Sequence, residues 1–206
     1  VDPATIIHEM RVLKSSDELE LMQRAADIAA EAHVEAMKTA RPGMQEYEVE
    51  ALIERVFRHY GAAGPAYTSI VGAGANATVL HYINNDGVLG DGELLLIDAG
   101  AEYKGYASDI TRTFPVNGRY TKPQREIYDL VLKAQMSCVE MVRPGTTHDQ
   151  LKQHSIEVLT EGMVELGLLQ GKPSELIKEK KYEKFYMHGL GHMLGIDVHD
   201  VGRYYY

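Results

Sequence analysis

The sequence predicts an α+β fold made of a duplicated helix–helix–sheet unit, with the second copy incomplete. Two observations carry this. The string Arg-Pro-Gly occurs at 41–43 and again at 143–145, 102 residues apart, each time between two helix-like stretches. Each second stretch closes on a glycine, Gly61 or Gly167. Recurrence of a unit at a fixed period, with matching flanks, is the signature of internal duplication. Between the two helix pairs lie short apolar runs bounded by glycine, suited to strands. A composition of 45% hydrophobic and 25% charged residues is ordinary for a globular chain.

Residues 1–14 read as a linker from an upstream domain missing from this chain. Ser15 and Glu18 then form a capping box, the serine oxygen serving one orphan amide and the glutamate the reverse. Leu19, Met22, Ala26, Ala29, His33 and Met37 follow at helical spacing, which predicts an inward stripe. Arg41-Pro42-Gly43 ends this helix near Ala40. A second helix, about Gln45 to Tyr60, places Val49, Leu52, Ile53, Val56 and Phe57 on one face. Strands are expected at Ala66–Val71 and Thr78–Tyr82, with Gly72-Ala73-Gly74 as the turn between them. That glycine turn is not a dinucleotide loop, because no helix pattern follows it. Glu93–Ala99 suits a buried strand, and Ala107–Val116 alternates, with Ile110, Thr111, Thr113 and Phe114 as good strand formers.

A long helix is expected over Thr121–Val142, with Ile127, Leu130, Val131, Ala134, Cys138 and Met141 inward, then another over about His148–Leu166. In the first copy Asp98 lies 57 residues after Arg41. The counterpart of the Glu93–Phe114 hairpin should therefore begin around residue 200 or later, where this sequence stops. The expectation is that the strands of the second copy are absent, so residues 15–206 form an incomplete domain. Tyr204-Tyr205-Tyr206 is an odd terminus for a folded domain.

A net charge of −9 argues against a nucleic-acid or anionic-membrane partner, since both want a basic face. No apolar run approaches the ~20 residues of a membrane span, and no signal-peptide pattern precedes the first helix. Cys138 is the sole cysteine, so no internal disulfide can form. It reads as a small core residue, and a reducing cytoplasm fits.

The chemistry concentrates in two places. Asp98 follows four apolar residues and precedes Ala99-Gly100; Asp109 lies eleven residues on, in a second strand-like stretch. Each alone could cap a turn. Two hairpin strands joined near Tyr103-Lys104-Gly105 could bring both to one point, where like charges repel and a divalent cation relieves the penalty. The second place is His188-Gly189-Leu190-Gly191-His192, with His199-Asp200 beyond. It lacks the glutamate of the helical zinc-protease motif, and its glycines oppose a helix. Three histidines interleaved with glycine point to a functional role. His81, in Leu80-His81-Tyr82, reads by itself as a hydrogen-bonded core histidine. His8, His33, His59, His148 and His154 read as structural or solvated. No Ser-His-Asp elbow or P-loop is present.

At these residues the chain closely resembles the pita-bread metallopeptidases, and within them the Xaa-Pro aminopeptidases (aminopeptidase P). The segments that carry the resemblance are Leu80–Tyr82, Ile97–Tyr106, Asp109–Gly118, Met187–His192 and Asp197–Gly202. The resemblance implies a duplicated α+β fold closing round a dinuclear site. Asp98 would bind one metal, Asp109 bridge both and His192 bind the second. His81, His188 and His199 would bind substrate or stabilise the transition state. It further implies two glutamate ligands from the second copy, one acting as general base, with no counterpart in these residues. The implied reaction is attack by a hydroxide bridging two divalent metals on the bond before a proline at position two of a peptide. Mn²⁺ is the preferred ion, with Co²⁺, Fe²⁺ or Zn²⁺ conceivable. A homo-oligomer is implied for the whole protein, and inactivity for these residues alone. A prolidase, cutting only dipeptides, shares the pattern. A non-catalytic binding module of the same fold is the reading from a different class.

Overall fold

A computed structural model describes residues 3–202 of the chain. Tyr204-Tyr205-Tyr206 lies outside the described residues. The described residues divide into two compact units, the first comprising residues 3–120 and 193–202, the second 121–192.

The first unit begins with α1 (Ala4–Val12), so the stretch read as a linker is helical. Arg11 and Lys14 both grip Asp200, the lysine at 2.7 Å, and Arg11 also reaches Asp197 at 2.6 Å. The Asp200 side chain is only 1% exposed. Burial pushes its carboxyl up, but bonds from Lys14, the Val201 amide and Arg11 outweigh this and hold it below the ordinary range.

Helix α2 (Ser16–Thr39) starts at the expected Ser15–Glu18 capping box. Its buried face shares Ala29 and His33 with the expected stripe but is otherwise shifted. Ala25, Ile28, Ala29, Ala32, His33 and Ala36 are buried, whereas Leu19 and Met37 are 54% and 42% exposed. Small residues let the helix approach its neighbours closely, and the stripe turns toward them. Helix α3 (Glu46–His59) buries Val49, Ile53, Val56 and Phe57 as expected. It also buries Glu46, whose four hydrogen-bond donors outweigh desolvation and lower its pKa.

Two three-stranded sheets follow. One has the order β1 (Gly64–Pro65), β4 (Ala101–Tyr103), β5 (Tyr106–Ala107). The other has the order β2 (Ile70–Ala73), β3 (Leu94–Asp98), β6 (Thr111–Pro115). All pairings are antiparallel. The expected Glu93–Phe114 hairpin exists, but it is bent: both of its arms change sheets, at Ala99-Gly100 and at Ser108–Ile110. The strand expected at Thr78–Tyr82 does not form. Gly74, at φ +54°, turns the chain out of β2 into a 3-10 helix over Gly74–Thr78. The main core joins α2, α3 and the β2-β3-β6 sheet through Ile28, Ile53, Phe57, Val71, Leu95 and Ile97.

The second unit is helical. It holds α4 (Lys122–Met141), α5 (His148–Glu165), α6 (Pro173–Lys178) and a 3-10 turn over Lys181–Lys184. Of the face expected on α4, Ala134 and Cys138 are buried and Leu130 packs on the small core of Ile156, Met163, Tyr182 and Tyr186. Ile127 and Val131 are exposed at 39% and 53%. The duplication is visible in the backbone. Gly43 and Gly145 take φ +90° and +93°. Gln45 and Thr147, each four residues after its arginine, cap the next helix with a full capping box. Gly61 and Gly167 end those helices at φ +88° and +74°. The described part of the second copy contains no strand.

Candidate metal centre

The bent hairpin determines the site. Asp98 ends β3, and Asp109 lies in the break between β5 and β6. At this bend the arms approach so closely that a Cβ on Gly100 would sit 1.7 Å from the Ser108 carbonyl oxygen. Only glycine fits there. The approach is fastened on both sides: Ser108 N donates to Ala101 O at 3.0 Å, Ala99 N to Ile110 O at 3.1 Å, and Ala101 N to Ser108 Oγ at 2.8 Å. From α2, the buried His33 Nε2 donates to Ala99 O at 3.1 Å; burial lowers the pKa of this imidazole. His33 is therefore structural, as its sequence context predicts.

The two half-buried carboxylates converge on one phenol. Tyr67 OH bonds to Asp98 Oδ1 and lies 3.1 Å from Asp109 Oδ1. Burial, then the two carboxylate charges, drives the Tyr67 pKa far up, so it stays a neutral hydroxyl. Burial, together with the charge of Asp109, raises the Asp98 pKa against the hydrogen bonds from Tyr67 and Thr111. Two hard carboxylate oxygens held close on one phenol are a donor set that suits a divalent cation. Tyr67 was not anticipated from sequence; a single tyrosine in a loop carries no signal of its own.

His81 is not a core residue. It is exposed, has φ +54°, and lies within electrostatic reach of Asp98. His199 also belongs to the first unit and is exposed, next to the buried Asp200. His188 and His192 belong to the second unit. There the His188 carbonyl accepts from Lys152 Nζ at 2.7 Å, and the Gly191 carbonyl from His148 Nε2 at 3.1 Å. Tyr186 meets the His188 ring edge-on at 4.9 Å. Among the described residues no three His, Cys, Asp or Glu side chains form a metal-binding group. Asp98 and Asp109 are the two candidate ligands that the structure brings together. No helix among these residues is long and apolar enough to cross a membrane.

The chain is 52% identical over 204 residues to the Xaa-Pro aminopeptidase of Haemophilus influenzae, covering 99% of this chain and 47% of that protein. It superposes on the structure of Pseudomonas aeruginosa aminopeptidase PepP with a TM-score of 0.97 at 49% identity, covering 98% of this chain and 46% of that one. Zn-substituted Escherichia coli aminopeptidase P in complex with product matches with a TM-score of 0.97 at 48% identity, covering 99% of this chain and 46% of that one. The chain thus spans about half the length of the relatives it matches. Residues 20–206 match the whole-family profile, and the chain belongs to metallopeptidase family M24.

Proposed function

We propose that the protein carrying this chain is a metal-dependent aminopeptidase that hydrolyses the bond between an N-terminal residue and a following proline. The observation that supports this best is the convergence of Asp98 and Asp109 on the Tyr67 hydroxyl. The names of the relatives support the choice of substrate. Asp98 and Asp109 would hold two divalent ions together with His192. A carboxylate-rich set with one imidazole favours Mn²⁺, with Zn²⁺, Co²⁺ or Fe²⁺ as substitutes. When bound, the ions supply a water acidified to near neutrality and a Lewis acid for the scissile carbonyl.

The chain's own residues do the rest. The bent hairpin fixes the two carboxylates before any ion arrives, so little reorganisation is left for binding. Tyr67 donates a hydrogen bond to Asp98 and moderates the repulsion between the carboxylates. His81, His188 and His199 would donate hydrogen bonds to the peptide and to the oxygen and nitrogen on which charge develops. The proline amide has no N–H and is bulky at Cδ, so a dedicated site is needed for it. We further place the protein in the cytoplasm, which suits its lone, buried Cys138, and assign it a homo-oligomeric state from the family resemblance.

The resemblance assigns two further glutamate ligands that none of these 206 residues supplies. A polypeptide of these residues alone should therefore bind Mn²⁺ weakly and leave Xaa-Pro peptides intact. The test compares that polypeptide with the intact protein on Arg-Pro-Pro and on the dipeptide Ala-Pro. The intact protein should release arginine from the tripeptide. Cleavage of Ala-Pro alone would assign a prolidase, and robust turnover by the 206-residue polypeptide would contradict the missing-ligand argument.

A further inference from the structure

We infer that Glu46 is a positioning residue for His81, holding the loop that presents this histidine toward the carboxylate pair. The inference rests on the function proposed above and adds to it a residue with no place in the metal site.

The argument starts from strain. His81 and Asn85 are non-glycine residues at φ +54° and +49°. Such conformations are strained for side chains other than glycine and persist only where the surroundings over-determine them. Two anchors do so here. Asn85, buried, accepts from Val71 N and donates to Ser69 O, both at 2.9 Å, which ties the far side of the loop to β2. Glu46 ties the near side. Its Oε1 accepts from Ala73 N at 2.7 Å and Asn76 Nδ2 at 3.0 Å. Its Oε2 accepts from Tyr82 OH and Gly87 N, both at 2.8 Å.

A fully buried carboxylate is costly unless every lone pair is served. Here all four donors come from the segment 73–87, and one of them is the side chain next to His81. Asn76 Nδ2 also donates to Tyr82 OH at 2.9 Å, which closes the ring of bonds. Glu46 lies at the start of α3, in the core of the first unit. It therefore ties an irregular loop to a helix. His81 itself makes no part of this network, so its own aim depends on it. A cavity-filling role does not explain a charge at this position, since an apolar side chain would fill the same space without desolvation cost.

The experiment is a double-mutant cycle in the intact, metal-loaded protein, read as kcat/KM on Arg-Pro-Pro. Glu46→Gln keeps the shape but cannot accept from all four donors at once, since one of its two terminal atoms is an NH2 that faces donors itself. Alone it should lower kcat/KM on the order of 10- to 100-fold, with Mn²⁺ content unchanged. In a His81→Ala background the same change should cost less than about 3-fold more, because the group it positions is gone. If Glu46→Gln does not fold, Tyr82→Phe, which removes one link, is judged by the same cycle. Losses that multiply in the double mutant, or a Glu46→Gln enzyme within about 2-fold of wild type, would overturn the inference. An unimpaired His81→Ala enzyme would overturn it too, by removing His81 from the reaction. A wild-type protein that cleaves no Xaa-Pro bond would instead bring down the proposed function on which it stands.

Discussion

Replacing Gly100 by alanine perturbs the site without touching a carboxylate. The new Cβ would sit 1.7 Å from Ser108 O and 3.0 Å from Tyr67 Cε1, where ordinary contact begins near 3.4 Å. The first neighbour is backbone, so the two arms of the hairpin must part by about 1.7 Å. That opening breaks two or three of the bonds at the bend, which include Ala66 N to Gly100 O at 2.8 Å and Ser108 N to Ala101 O at 3.0 Å. At ~1 kcal/mol net for each bond and ~1–3 kcal/mol for overpacking, the cost is about 3–6 kcal/mol. Ligand positions tolerate only ~0.2 Å, so Asp98 and Asp109 no longer address one point. Mn²⁺ affinity should fall at least ~10–100-fold, the loss typical of disturbed supporting contacts. Urea denaturation of the intact protein reads the first effect and calorimetric Mn²⁺ titration the second. A Gly100→Ala protein with wild-type denaturation midpoint and wild-type Mn²⁺ affinity would refute the close-approach argument.

Tyr67→Phe removes the hydroxyl that Asp98 accepts from and should destabilise the metal-free protein by ~1–3 kcal/mol. Thermal melts should show the gap shrinking in saturating Mn²⁺, because the ion then takes over neutralisation of the carboxylates. Asp200, whose folded pKa is depressed, contributes stability that is present above the ordinary carboxylate value of ~4 and is lost as pH falls through the lower folded value. Asp200→Asn leaves Arg11 and Lys14 without their shared anion and should cost ~3–5 kcal/mol at pH 7, by urea titration, and progressively less as the pH is taken below ~4. Gly162→Ala places a Cβ 2.2 Å from Leu130 Cδ1, but Leu130 can give and alanine gains ~1 kcal/mol over glycine inside α5, so overpacking of ~1–3 kcal/mol should leave a net loss of at most ~2 kcal/mol in a denaturation of the intact protein.

The features legible in the sequence are those set by local chemistry. The Ser15–Glu18 box, the Arg-Pro-Gly stops and the closing glycines each satisfy or break backbone bonds within a few residues, and each recurs in the structure where it was expected. The buried faces of α2 and α4 were less legible. Large apolar residues such as Leu19 and Val131 drew the expected stripe, while close helix contact selected the alanines. Val79 and Leu80 suggested a strand, but a glycine at positive φ and the buried carboxylate of Glu46, 27 residues or more upstream of its loop partners, turned that segment into a loop. Such long-range bonds leave no periodic trace. The same holds for Tyr67, whose contacts with Asp98 and Asp109 are 31 and 42 residues away in sequence. The carboxylate pair was legible because two aspartates at the ends of apolar strands are costly without a shared purpose.

The most direct measurement counts Mn²⁺ bound per chain in the intact protein and its Asp109→Asn variant, with Arg-Pro-Pro turnover on the same samples. Two ions per chain and arginine release by the wild type, with both metal binding and turnover collapsing in the variant, are the results predicted. Unchanged metal binding or unchanged turnover in Asp109→Asn would contradict a reaction centred on the Asp98–Asp109 pair.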